Sequence, residues 1–175
     1  MWHERMRDAA IATNIPPSWR GAVAGYVRHG DPYHVWTAGD WQRFRGLRKL
    51  PIFVRSNPLN VAQAEQDAFF TLQDLYDLRV PKGCYVALDR ETSPDTADAA
   101  AWAHVVRWGG YRPIQYRSKS TPSAPGFNWD WVAWYRNAGP FMDVKPADAT
   151  QYQSGRAFDS STVRPWIYNR GHWWR

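Results

Sequence analysis

Eight short apolar runs, rich in β-branched and aromatic residues and separated by helix-like stretches or tight Pro/Gly segments, constrain this chain more than any other feature. They fall at Ala10–Ile15, Ala22–Val27, Ile52–Arg55, Cys84–Asp89, Pro113–Tyr116, Trp131–Tyr135, Thr150–Tyr152 and Arg156–Asp159. Three helices are predicted between them. One runs from Thr37 to about Arg45, and a second spans Asn60–Leu78 with Asn60 as N-cap. The third opens with Ser93 at the cap and Pro94 at the first helical position and stops after Trp108 at Gly109-Gly110. Alternation of this kind argues for a parallel sheet, closed into a barrel or open and doubly wound. Past residue 131 the intervening segments are too short for full helices, so helices are lost on that side. With 175 residues the chain is expected to be one domain, 1–175, and any barrel must be trimmed relative to the typical ~250 residues.

The run Cys84-Tyr-Val-Ala-Leu-Asp-Arg-Glu-Thr92 carries the chemistry. It reads as a buried strand ending in two carboxylates. Side chains alternate along a strand, so Asp89 and Glu91 leave the same face about 6.5–7 Å apart. Half-shielded like charges push their proton affinities apart, leaving one carboxyl able to donate a proton while the other stays ionised. Glycosidic bond cleavage needs that division of labour. A solvated strand end or an acid-decorated helix N-terminus is the plainer alternative for the same spacing.

Composition narrows the classes. The single cysteine, Cys84, lies inside an apolar strand, which leaves no disulfide framework and no thiolate metal cluster. No two of the five histidines fall at helical metal-ligand spacing, so no metal and no cofactor is expected. Twelve tryptophans suit a protein that stacks on sugar faces, although many must be core. The formal net charge of +6 is uneven. Residues 51–100 hold four Lys/Arg against eight Asp/Glu, and the remainder eighteen against eight. An acidic centre in a basic frame fits a cleft that meets a polyanionic surface such as a bacterial wall or nucleic acid. Met1–Pro17 carries Glu4, Arg5, Arg7 and Asp8 and no apolar run of signal-peptide length, so neither a leader nor a membrane span is expected.

Four segments in order resemble the glycoside hydrolase family 25 lysozymes and their glycoside-hydrolase-like relatives in actinobacteria and their phages. Tyr85-Val-Ala-Leu-Asp-Arg-Glu91 is similar to the family's central strand with its Asp-x-Glu pair. Pro113-Ile-Gln-Tyr-Arg-Ser118 resembles the next strand, Trp131-Val-Ala-Trp-Tyr135 the Trp-x-Ala strand, and Gln151-Tyr152 with Phe158-Asp159 the closing Gln-Tyr and Asp pair. The likeness covers roughly residues 80–162. It implies an α/β fold, a compact, irregular (β/α)8 TIM-like barrel with reduced helices on the C-terminal side and its site at the carboxyl ends of the strands. It implies Glu91 as general acid, Asp89 as the ionised carboxylate that steadies positive charge on a sugar whose own 2-acetamido group attacks, and Asp159 as a third acid. Tyr85, Tyr116, Trp131, Tyr135 and Gln151 become candidates for the substrate wall, with core packing the alternative for each aromatic. Where the family carries a first-strand aspartate, Ala12-Thr13-Asn14 offers only Asn14, which predicts slow, altered or absent hydrolysis.

The expected partner is bacterial cell-wall glycan, met by a phage-derived lysozyme-like enzyme acting from the virion or the host cytoplasm. The competing reading is a weak or inactive glycan-binding or structural module of a phage virion, such as a minor tail protein, in contact with other virion proteins. Scattered arginines and acids at the would-be groove argue against nucleic acid. The tail Trp166–Arg175 is expected to pack onto the barrel as a strap rather than stay exposed.

Overall fold

Eight strands close edge to edge in the order of the chain, in a computed structural model that describes residues 4–54, 60–91, 96–133 and 148–175. They are β1 (Glu4–Asp8), β2 (Ala22–Tyr26), β3 (Lys49–Val54), β4 (Tyr85–Asp89), β5 (Arg112–Ser118), β6 (Asp130–Ala133), β7 (Ala149–Gln153) and β8 (Asp159–Val163). Neighbours from β1 to β7 pair in parallel. β8 runs antiparallel to both β7 and β1, so the barrel is mixed rather than wholly parallel.

The two ends of the chain depart from the sequence expectation. Ala10–Ile15 is not a strand. Its centre, Ala12–Asn14, is a single 3-10 turn, and the first strand lies upstream at Glu4–Asp8. That strand escapes a search for apolar runs because Met6 is its only fully apolar inward residue. Arg7 faces outward and is held there by the rings of Trp19 and Phe158, 4.2 and 3.9 Å from its guanidinium carbon. The last strand begins at Asp159 instead of ending there.

Helices follow β2, β3, β4 and β8. α1 (Ala38–Arg43) starts with a reciprocal capping box between Thr37 and Asp40. Asn60 caps α2 (Val61–Asp77) by accepting from the Gln63 N–H at 2.9 Å. α3 (Ala97–Trp108) ends at Gly109, and Gly110 takes the left-handed φ of +89° that turns the chain into β5. The predicted cap at Ser93-Pro94 lies outside the described residues. α4 (Pro165–Tyr168) is one turn with proline in its first position. No helix among the described residues is long and apolar enough to cross a membrane.

Strand parity divides the core. Met6, Ala24, Leu50, Ile52, Ala87, Ile114, Trp131, Ala149 and Val163 fill the barrel, while Phe53, Val86 and Leu88 point outward onto α2 and α3. Between those helices the Trp102 indole donates to Thr71 Oγ1 at 3.2 Å, and that hydroxyl donates to the Asp67 carbonyl. The tail closes the amino-terminal end. Trp173 is buried against Tyr85 and Tyr168, and the backbone carbonyls of His172 and Trp174 accept from the N–H groups of Tyr85 and Lys49, each at 2.7 Å. The strap expected from the sequence is therefore a floor across that end of the barrel.

Candidate active site at the barrel mouth

β1 and β4 end in acids at the open rim. Asp8 ends β1, and Asp89 ends β4 in register with Tyr116 on β5. Because β8 is antiparallel, its first residue, Asp159, reaches the same rim and stands directly opposite Asp8 in the β1–β8 ladder. Glu91 lies two residues beyond the end of β4 and is exposed. Among the described residues the barrel thus gathers four carboxyl groups, one more than the sequence reading assigned. The expected gap in the first-strand acid does not exist. Asp8 fills it, and Asn14 instead lines a cleft beside Asp8 and Asp159.

The carboxylates are held by different means. Asp159 accepts from Gln151 Nε2 at 2.6 Å and from the Gly155 N–H at 2.9 Å. Asp8 is 4% exposed, and its Oδ1 has no hydrogen-bond partner among the described residues. The segment after Asp8 is pinned where the Trp36 indole donates to the Ala9 carbonyl at 2.8 Å, under rings of Trp41 and Phe44. On the far side, Thr121 Oγ1 donates to the Glu91 carbonyl at 2.5 Å and lies 2.7 Å from Ser118 Oγ. Arg117 fixes that loop by donating to the Thr121 carbonyl at 2.7 Å and to Asp130 Oδ2 through Nε and Nη2. The loop that follows β5 thus grips the backbone of Glu91. Arg90, on the opposite strand face, forms an ion pair with the buried Asp98 of α3.

Burial, reinforced by the crowding of like charge, shifts two of the acids upward. Burial pushes the Asp8 carboxyl well above its ordinary value, reinforced by Asp159, Asp89 and, more weakly, Glu91. Burial, Glu91 and Asp159 do the same to Asp89. The shift opposes ionisation of Asp89, the state the resemblance implies for it. The Tyr26 phenol at the end of β2 is raised by burial and by the charges of Asp8 and Asp89.

The remaining predicted residues divide by height in the barrel. Tyr116 packs edge-on against Trp131, with centroids 4.6 Å apart, below the rim. Trp131 is 1% exposed and donates to Ser161 Oγ, so it forms part of the floor of the mouth. Gln151 orients Asp159. Tyr85 shares the inward face of Asp89 but sits at the other end of β4, roughly 13 Å lower at ~3.3 Å per residue, among Trp129, His172 and Trp173. Tyr135 lies outside the described residues. Among the described residues no group of three or more His, Cys, Asp or Glu has the arrangement to hold a metal ion. Sequence reasoning missed Asp8, Tyr26 and His34. The inward period of Glu4, Met6 and Asp8 was the available signal for the first of these.

No family model matches the sequence, and no curated protein matches it. Solved structures do. An uncharacterized B. stearothermophilus protein superposes with a TM-score of 0.74 at 16% identity, over 94% of this chain and 97% of that one. The modular autolysin LytC from Streptococcus pneumoniae, solved with a synthetic peptidoglycan ligand, gives 0.67 at 17% identity over 93% of this chain and 47% of that one. The Clostridium perfringens spore cortex lytic enzyme SleM gives 0.62 at 13% identity over 93% of this chain and 67% of that one. At these identities the likeness establishes a shared fold, an α/β barrel of the kind these lytic enzymes carry, and the chain spans about half of the autolysin.

Proposed function

We propose that the protein is a peptidoglycan-directed glycoside hydrolase that cleaves a glycosidic bond by acid catalysis. The observation that carries this reading is the convergence of Asp8, Asp89, Glu91 and Asp159 at one end of the barrel. Support comes from the fold it shares with a lytic enzyme and with an autolysin solved with a peptidoglycan ligand. In this reading the exposed Glu91 protonates the leaving glycosidic oxygen. Asp89, whose carboxyl burial pushes up, is the group placed to steady the positive charge that builds at the sugar. The substrate's 2-acetamido oxygen closes on the anomeric carbon, and water reopens the ring product. Asp159, fixed by Gln151 and Gly155, and Asp8 border the reacting sugar, with Tyr116 and Trp131 beneath.

A phage-derived origin, with action at the wall from a virion or the host cytoplasm, rests on the resemblance of residues 80–162 alone. The presence of Asp8 removes the reason for expecting a defective first strand, and with it the main argument for an inactive virion module. Mass spectrometry of actinobacterial wall digested with the purified protein tests the reading. Fragments with new reducing ends are expected, and their masses identify the bond cut. Wall binding with no fragments would instead identify a glycan-binding module.

A further inference from the structure

Cations that look scattered along the sequence gather at the amino-terminal end of the barrel, opposite the acids of the mouth. Arg45, Arg48 and Lys49 lead into β3, Lys82 precedes β4, Arg112 begins β5, and Arg170 lies in the tail that crosses this end. Among the described residues none of these cations pairs with a carboxylate, and the buried Arg112 Nε has no hydrogen-bond partner. Of the acids at the same end, Asp77, Asp130 and Asp148 are paired with Arg28, Arg117 and Arg164, which leaves Glu4 at the start of β1 as the counter-charge among the described residues. The excess of positive charge acts on its own neighbours. Burial first, then Arg112 and Arg170, hold the His172 imidazole below its ordinary value, and burial followed by Arg45 does the same to the Lys49 ammonium.

Aromatic rings accompany these cations in two ways. Those beside them are covered, with Arg48 over Tyr168 at 4.0 Å, Lys49 over Trp174 at 4.4 Å and Lys82 over Tyr111 at 4.4 Å. Those on the surrounding helices are bare. Trp108 closes α3 at 77% exposure, and Tyr76 stands one residue before the end of α2 at 79%. Both belong to the same end of the molecule, because Tyr76 shares a cleft with Lys82, whose Nζ donates at 2.5 Å to the carbonyl of Gly109, next to Trp108. We propose that this end docks on an anionic lipid surface, floor down, with the acidic mouth turned away from it. Trp and Tyr settle at headgroup depth, and Arg and Lys beside them are drawn to acidic headgroups. A nucleic acid would instead need free stacking rings among the cations, where the rings already carry a cation.

Co-sedimentation with vesicles tests the assignment, comparing neutral phosphatidylcholine with the same lipid holding about 30 mol% phosphatidylglycerol. The parent protein should partition at least about ten-fold more strongly onto the anionic vesicles and be released by about 0.5 M salt. Arg45→Gln combined with Arg170→Gln, both at exposed positions, should lower that partition about ten-fold. Trp108→Ala should lower it several-fold with the charge kept. Equal partition onto the two vesicles, none onto either, or a value unchanged in either variant would overturn the docking surface. Tighter retention by duplex DNA than by anionic vesicles at the same salt would overturn it too, by identifying a soluble polyanion as the partner.

Discussion

Asp8 and Asp159 are register partners across the antiparallel β1–β8 seam, and the strand reversal at β8 is what brings them to one rim. In a parallel barrel the first residue of the eighth strand would lie at the floor. The reversal makes the acid cluster a property of the topology. It also sets the electrostatics, because Asp159 adds to the burial that raises both Asp8 and Asp89.

That arrangement has a sign in pH. Asp8 and Asp89 hold their protons more tightly in the folded chain than in the unfolded one, where an aspartate titrates near ~3.9. Their contribution to stability is therefore complete below about pH 4 and drains away as pH rises through the raised folded values. Urea midpoints should fall on going from pH 4 to pH 8. Asp8→Asn and Asp89→Asn should each flatten the fall and melt above the parent at pH 8, whereas a slope unchanged in both variants would contradict the assigned burial.

Thr121 touches Glu91 only through the backbone carbonyl, which makes it a positioning residue. Thr121→Val should lower kcat about three- to ten-fold, the range of one net hydrogen bond, with KM held. Thr121→Ser, which keeps the hydroxyl, should recover the parent rate. A matching change in KM, or failure of the serine variant to recover, would assign the loop a different task.

Gly25 faces outward from β2, where an added Cβ would lie 2.3 Å from the Trp36 ring. Trp36 cannot retreat cheaply, since its indole bonds Ala9 and its ring lies against Trp41 and Phe44. Gly25→Ala should cost about 1–3 kcal/mol by chemical denaturation. Activity should drop alongside, because the carbonyl Trp36 holds belongs to the residue after Asp8. An unchanged midpoint would show that the tryptophan shifts freely.

Much of the barrel was legible in the sequence because its middle strands are apolar on both faces. β2 to β5 are covered by helices outside and by the core inside, and such strands read as continuous runs. The first strand was not legible, since one of its faces carries Arg5 and Arg7, the latter over aromatic rings, and the other carries Met6 between two acids. The misplaced eighth strand had a benign outcome. A strand ending at 159 in a parallel barrel and one starting at 159 in an antiparallel position put Asp159 on the same rim. Tyr85 lies away from Asp89 for a different reason, because strand parity fixes a face and says nothing about height. Its ring is four residues below Asp89, in the layer that the C-terminal tail seals.

The measurement that bears most directly on the account is the rate of reducing-end release from peptidoglycan by the parent protein and by Glu91→Gln, compared at matched thermal stability. A proton donor at this position predicts release by the parent and a loss of at least about 10²-fold in the variant, with the melting temperature unchanged. Release that persists undiminished in Glu91→Gln would contradict the claim that this mouth is where the glycosidic bond is broken.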